Sequence, residues 1–165
     1  LRFGELRASG YEALAVFDLD HFKAVNDTHG HDVGDRVLVT VAQVLRSDPD
    51  AFAVRIGGEE FVLMLRGDDI ETRVERLRQK IPVKVAREIE ALDTMVTASV
   101  GLVNAQHESV QDMTFILLYR RADALLYEAK AKGRNMLCSE TIDGAARANR
   151  PMRGFEPIKI VGGTS

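Results

Sequence analysis

The chain has 165 residues, 45% hydrophobic and 28% charged, with a formal net charge of −3. That is enough chain for one domain with a substantial core, in the composition range of globular proteins. The slight acidity argues against a general nucleic-acid binder, which carries a basic excess, and no apolar run reaches the length of a membrane span. No signal-peptide pattern opens the chain. Its single cysteine, Cys138, cannot form an internal disulfide. That points to a reducing, cytoplasmic compartment and to a small core residue. The chain begins at Leu1, and the expectation is a domain cut from a longer signalling protein, whose sensory or membrane-anchoring segment would lie upstream.

In chain order, "ALAVFDL" (13–19) is a short strand-like run. "HFKAVNDTHG" reads as a short helix stopped by Gly30. "DVGDRVLVTVAQVLR" aligns Val37, Val41, Val44 and Leu45 on one helical stripe, with Asp32 placed to cap it. "AFAVRI" and "FVLML" are β-like runs joined by Gly-Gly-Glu-Glu, a hairpin signal in which glycine would supply positive φ. "DIETRVERLRQK" is helical and is expected to stop before Pro82. Residues 83–93 read equally as strand or loop, and "TMVTASVGLV" (94–103) as a strand. "TFILLYRRADALLYEAKAKG" carries Leu118, Ala122, Leu125, Leu126 and Ala129 at helical spacing, with Gly133 ending it. "NMLCS" fits a last edge strand, and the Gly-, Pro- and Arg-rich segment 140–165 a loosely packed tail. Helices alternate with strands around a hairpin. The expected class is therefore α+β: a mixed sheet of about five strands wrapped by helices, ferredoxin-like, spanning 1–139.

The carboxylates carry the chemistry. Asp18 and Asp20 stand two residues apart in "FDLDHF", hence on one face of a strand end. Glu59 and Glu60 sit at a glycine turn. If the strand and hairpin are neighbours, three or four carboxylates converge and need a cation or raised pKa values. An all-oxygen set suits Mg²⁺ and, through it, substrate phosphates. Gly57 and Gly58 would let a phosphate or base approach the backbone. An acidic, solvated hairpin tip explains the same residues with about equal weight. No stretch matches a P-loop. Lys130 and Arg134 in "KAKGR" are four apart and suggest two cations on one helical face, for phosphates or simply for the helix dipole. His29 and His31 beside Asp27 and Asp32 make a weak zinc candidate, and the Arg-Gly-Asp of "RGDD" reads as a turn.

Four stretches together, "FDLDHFKAVNDTHGHDVGD" (17–35), "RIGGEEF" (55–61), "TASVG" (97–101) and "RADALLYEAKAKGRN" (121–135), resemble the GGDEF domain of diguanylate cyclases in its GGEEF variant. The resemblance runs from residue 13 to 135 in order. It implies a fold similar to class III nucleotide cyclase catalytic domains, and condensation of two GTP into cyclic di-GMP and two pyrophosphates where two domains meet as a homodimer. It implies Mg²⁺, or Mn²⁺ in its place, held by the Asp18 carboxylate, the Leu19 carbonyl and Glu59, with Glu60 beside them as a second-metal ligand. Glu59 would also accept the 3′-hydroxyl proton. Asn26 and Asp35 would read guanine, His31 would contact the nucleotide, Gly57 and Gly58 would pass close to it, and Lys23, Lys130 and Arg134 would stabilise phosphate charge. Asp20 is expected to support the metal end structurally, and Asp123 to orient neighbouring cations.

Two departures stand out. The Asp-x-Leu-Thr-Gly-Leu-x-Asn-Arg stretch that usually precedes this region is not present. The Arg-x-x-Asp positions of the family's product-inhibition site are Asp48 and Ala51, so no feedback inhibition through that site is expected. An inactive GGDEF domain, acting as a GTP-binding sensor or protein-interaction module, is the rival reading. Cyclisation of a single nucleotide on the same fold is a third.

Overall fold

The computed structural model describes residues 10–90, 92–105 and 114–142. In chain order the elements are β1 (Ala13–Leu19), α1 (Phe22–His29), α2 (His31–Leu45), β2 (Ala51–Arg55), β3 (Glu60–Leu65), α3 (Ile70–Glu88), β4 (Ala98–Asn104), α4 (Phe115–Ala131) and β5 (Leu137–Thr141). The five strands form one sheet in the order β2-β3-β1-β4-β5. β1 pairs antiparallel with β3 and β4, β2 pairs antiparallel with β3, and β5 runs parallel to β4. This is the mixed α+β sheet expected from the alternation of elements.

Strand periodicity divides the core. Ala13, Ala15, Phe17 and Leu19 of β1, with Phe61, Leu63 and Leu65 of β3, join one apolar cluster with residues of α1, α2 and α3. Leu14 and Val16, with Val62 and Met64, join a second, smaller cluster with Leu118, Ala122 and Leu126 of α4. The stripe Val37, Val41, Val44, Leu45 is buried as its spacing predicts. Each fully buried large side chain stabilises the fold by about 1.5–3 kcal/mol through removal from water. Gly101 explains how closely α4 approaches. A Cβ there would lie 1.9 Å from the Ala122 carbonyl oxygen and 2.5 Å from the Leu126 nitrogen, so only glycine admits the helix backbone.

The elements differ from expectation in a few places. Helix α3 does not stop at Pro82 but runs on to Glu88. Proline removes one backbone bond, to the Arg78 carbonyl, yet Ile81 and Val85 on either side of it are buried, at 0% and 1% exposure. Continuous burial outweighs one missing hydrogen bond. Arg36 and Thr40 of α2 also bond Glu88, fastening the far end of α3. Asp32 does not cap α2: Gly30 occupies that position, at φ 84°, and Asp32 falls in the first turn. β4 begins at Ala98 rather than at residue 94. The last strand continues to Thr141, with Glu140 bonded to Arg121 of α4, and the tail from 143 onward lies outside the described residues. No helix among the described residues is long and apolar enough to cross a membrane.

Candidate active site

The register of β1 sets the site. Asp18 faces Glu60 across the β1–β3 pair and Ser99 across the β1–β4 pair, so all three project on the face covered by α4. Asp18 is buried at 7% exposure, a costly place for a carboxylate without a partner. The Lys130 ammonium supplies one: its Nζ lies 2.8 Å from Asp18 Oδ2. The hairpin loop docks on the end of β1 through the Leu19 amide, which donates to the Glu59 carbonyl at 3.3 Å. Glu59 thereby comes close to Asp18. Burial, then the Asp18 charge, with Glu60 adding, pushes the Glu59 carboxyl above its ordinary value, against an opposing pull from Lys130.

Like-charge crowding around a buried aspartate marks this strand end as a place for a cation, and the Lys130 ammonium stands there. The donors are carboxylate oxygens, suited to a hard divalent ion. Asp18, the Leu19 carbonyl and Glu59 are the groups that could hold such an ion. Among the described residues, however, no three acidic, histidine or cysteine side chains are drawn tightly together. The convergence of three or four carboxylates anticipated from the spacing thus does not form as a tight cluster, and Asp20 is engaged elsewhere. It accepts from Thr97 Oγ1 and Ser99 Oγ, each at 2.7 Å, and from the Asn135 amide at 3.1 Å. These bonds tie Asp20 to β4 and the α4–β5 turn. His29 lies outside any metal cluster among the described residues, its Nε2 3.2 Å from Asp93 Oδ1.

The hairpin loop is held differently from what its glycines suggest. Gly57 and Gly58 are not among the positive-φ residues. What Gly57 supplies is room: a Cβ there would come 2.8 Å from Glu60 Oε2, whereas Gly58 faces open space. Arg55 folds over the loop, its Nε donating to the carbonyls of Gly57 at 3.0 Å and Gly58 at 3.2 Å. The Ile56 amide donates to the Glu60 carbonyl at 3.0 Å. Sequence reasoning missed Arg55, and the signal for it is an arginine placed directly before a carbonyl-rich glycine turn.

The α1–α2 corner carries Lys23, Asn26, His31 and Asp35. Lys23, His31 and Asp35 are exposed and Asn26 is half-buried. Gly34 is the residue that brings Asn26 of α1 against α2. A Cβ on Gly34 would lie 1.8 Å from Asn26 Oδ1 and 3.3 Å from the Phe22 ring. Asn26 therefore packs on the turn of α2 that bears Asp35, and the two expected guanine readers share one corner. A glycine inside an otherwise helical stripe was the available signal.

Lys130 and Arg134 do not share a helical face. Helix α4 ends at Ala131 in a Schellman arrangement: the Arg134 amide donates to Ala129 at 3.0 Å and the Gly133 amide to Lys130 at 3.4 Å, with Gly133 at φ 122°. Arg134 and Asn135 follow at φ 64° and 48°, left-handed conformations that cost about 1–2 kcal/mol per non-glycine residue. Lys130 turns to Asp18, while Arg134 is exposed on the turn.

At the inhibition-site positions, Asp48 is clamped by Arg73 of α3. Nε donates to Oδ2 at 2.9 Å and Nη2 to Oδ1 at 2.6 Å. The Arg73 guanidinium holds the Asp48 carboxyl below its ordinary value.

The family model "Diguanylate cyclase, GGDEF domain" matches residues 6–136. The chain is 40% identical over 128 residues to a probable diguanylate cyclase, DgcT, of Escherichia coli, covering 74% of this chain and 28% of that protein. It is 36% identical over 141 residues to the diguanylate cyclase VdcA of Vibrio cholerae, covering 81% of this chain and 40% of the relative. Among solved structures, an active GGEEF domain of a Vibrio cholerae diguanylate cyclase superposes with a TM-score of 0.67 at 33% identity, covering 84% of this chain and 90% of that one. The GGDEF domain of DgcB from Caulobacter crescentus, in complex with c-di-GMP, superposes with a TM-score of 0.66 at 31% identity, covering 81% of this chain and 80% of that one. The chain thus spans well under half the length of these two curated relatives, while it covers most of the two solved domains. With Asp18, the Gly57–Glu60 turn, the Asn26–Asp35 corner and the Lys130–Asn135 turn all on one sheet-and-helix frame, this chain belongs to the GGDEF domain family of diguanylate cyclases.

Proposed function

We propose that the chain is the catalytic domain of a diguanylate cyclase, condensing two GTP into cyclic di-GMP with release of two pyrophosphates. The observation that carries the reading is the buried Asp18 facing Glu60, with Glu59 docked beside it and a cation, the Lys130 ammonium, on its carboxylate. Asp18, the Leu19 carbonyl and Glu59 would hold Mg²⁺ (or Mn²⁺), with Glu60 beside them for a second ion. When bound, the metal polarises the α-phosphate and stabilises charge on the departing pyrophosphate.

The chain's own groups supply the rest. Glu59 takes the 3′-hydroxyl proton, and its raised carboxyl pKa brings it toward the range of a working base. The freed 3′-oxygen attacks the α-phosphorus of the other GTP. The bond from that phosphorus to the β-phosphate oxygen breaks, and the reciprocal step closes the ring. Each domain holds one GTP, so two copies must face one another as a homodimer. Asn26 and Asp35 read the guanine edge, the Asp35 carboxylate accepting from its N1–H and exocyclic amine; adenine does not present that pattern, which leaves polar groups unpaired and rejects ATP. Lys23, His31, Lys130 and Arg134 steady the nucleotide and its phosphates, with Gly57 and Gly58 keeping the approach open. Asp48 is bound to Arg73 and Ala51 is apolar, which supports an enzyme without feedback through an Arg-x-x-Asp site. An upstream sensory domain in a parent protein, membrane-anchored or not, would set how often two copies meet, with this domain on the cytoplasmic side.

The test is to incubate the protein with GTP or ATP and Mg²⁺ and identify products, both as isolated and in an artificially dimerised form. Cyclic di-GMP from GTP alone, faster in the dimerised form, is the expected result. GTP binding with no product even in the dimerised form contradicts the enzyme and leaves a nucleotide-binding sensor. A cyclic mononucleotide contradicts the two-domain reaction.

A further inference from the structure

We propose that Arg78, reaching from α3 on the opposite side of the sheet, is a positioning residue for the phosphate site: through Asn135 and Asp20 it holds the left-handed turn that presents Arg134 to the nucleotide. The proposal rests on the phosphate-binding reading of Arg134 given above.

Arg78 is only 9% exposed, and a buried guanidinium persists only where its donors are met. Nε and Nη2 grip the Glu75 carboxylate, each at 2.7 Å. Nη1 is directed away from that pair, donating to the Asn135 carbonyl at 2.9 Å and also to Asn135 Oδ1. The Asn135 amide donates in turn to Asp20 Oδ2 at 3.1 Å. Asp20 is itself buried at 6% exposure and tied to β4 through Thr97 and Ser99. One continuous set of hydrogen bonds thus joins α3, the α4–β5 turn, the end of β1 and the start of β4.

The place where this set converges argues for positioning rather than general stability. α3 already buries Ile70, Val74, Leu77, Ile81 and Val85 against the sheet, so its attachment does not depend on a guanidinium. What Arg78 and Asp20 hold from two sides is Asn135, the second of two successive left-handed residues. Such conformations persist where surrounding contacts over-determine them. Arg134 is the other residue of that pair, and Lys130, one turn earlier, reaches Asp18. An arginine suits the task because its planar fork serves Glu75 and Asn135 together, which a lysine ammonium cannot do in the same geometry. Residues 78 and 135 lie 57 positions apart.

The test measures dissociation constants for GTP and for GMP, with thermal midpoints, in the wild type, Arg78→Gln, Arg78→Lys, Arg134→Ala and the double variant Arg78→Gln/Arg134→Ala. Arg78→Gln is expected to weaken GTP about tenfold and GMP less than about twofold, since only the distal phosphates lose Arg134. Arg78→Lys is expected to recover part of the loss, and the double variant to bind GTP no more weakly than Arg134→Ala. Equal losses for GTP and GMP, an additive double variant, or unchanged GTP affinity in Arg78→Gln overturns the proposal. If Arg134→Ala alone leaves GTP affinity unchanged, the phosphate-binding reading fails instead. Should Arg78→Gln not fold, Glu75→Gln, which loosens the grip on Arg78 while keeping its charge, carries the same comparison. Its expected result is a smaller but still GTP-selective loss, and a loss shared equally with GMP overturns the proposal.

Discussion

On one face of the sheet, Phe17, Leu19, Phe61, Leu63 and Leu65 are sealed beneath three helices. On the other, a single helix covers Leu14, Val16, Val62 and Met64, and the same strand ends carry Asp18, Asp20 and Glu60. Along the last residues of β1 the two uses alternate: Phe17 and Leu19 belong to the core and Asp18 to the site, with Asp20 just beyond the strand bracing β4 and the α4–β5 turn. A slip of one residue in the register would exchange them. The broad apolar layer therefore fixes where the carboxylates point. The narrow layer can carry buried charge because α4 supplies the compensating cation, Lys130, at its own end. The narrow layer also stops short of the edge: Phe52 and Val54 of β2, register partners of Met64 and Val62, remain 42% and 40% exposed.

The strongest way to break this comparison is at Glu59. Glu59→Gln is expected to lower cyclic di-GMP formation about 10³-fold, because the proton acceptor is lost, while circular dichroism shows an unchanged fold. Stability should move the opposite way. A carboxyl whose folded pKa is raised favours the fold in its protonated form; that contribution is complete below the ordinary pKa and is lost as pH rises through the raised value. The neutral glutamine should therefore raise the thermal midpoint at neutral pH, with a gap that closes toward pH 4. A lower midpoint at neutral pH would contradict the crowding of Glu59 with Asp18.

The next largest effect belongs to the helix seat. Gly101→Ala is expected to destabilise by about 3 kcal/mol in urea titration, since backbone atoms of α4 must shift to admit a Cβ. Gly58→Ala, facing open space at the site's own hairpin, should cost less than about 0.5 kcal/mol. Equal costs at the two would remove the distinction between a packed and an open part of that layer. At the α1–α2 corner, Gly34→Ala should reduce the preference for GTP over ATP about tenfold, because Asn26 has to leave its place. Competition binding measures this. Unchanged preference would mean that Asn26 reads nothing from where it sits.

A separate effect lies on the broad face. Asp48→Ala is expected to cost about 2 kcal/mol at neutral pH, through loss of the two-bond pair with Arg73. The Asp48 pKa is lowered, so this contribution is present above the ordinary carboxylate range and is lost as pH falls through the folded value. Wild type and variant should converge in stability only at acid pH, below the ordinary aspartate range.

Much of this arrangement was legible in the residues. The apolar spacing of 37–45 and 118–129 located two helix faces, and the two-residue spacing of Asp18 and Asp20 placed both on one side of β1. Pro82 misled because a local rule about one amide competes with burial of Ile81 and Val85, which only the packed structure reveals. The glycines of the hairpin were read partly for positive φ, which neither adopts; Gly57 instead leaves space beside Glu60 and Gly58 faces open space. Arg134 was placed with Lys130 by counting along a helix that ends at Ala131. The contacts of Asp20 with Thr97, Ser99 and Asn135 bridge 77 to 115 positions, a separation that no local pattern encodes. Gly34 and Gly101 were visible as letters, but what each makes room for is a tertiary fact.

The most direct measurement incubates concentrated wild-type protein and Glu59→Gln side by side with GTP and Mg²⁺, across a range of protein concentrations, quantifying cyclic di-GMP and pyrophosphate by chromatography and mass spectrometry. The account predicts two pyrophosphates per cyclic di-GMP, a specific rate that rises with protein concentration, and near silence from Glu59→Gln. Comparable turnover by Glu59→Gln, or a specific rate independent of protein concentration down to high dilution, would contradict a reaction run by the β1–hairpin carboxylates across two facing copies.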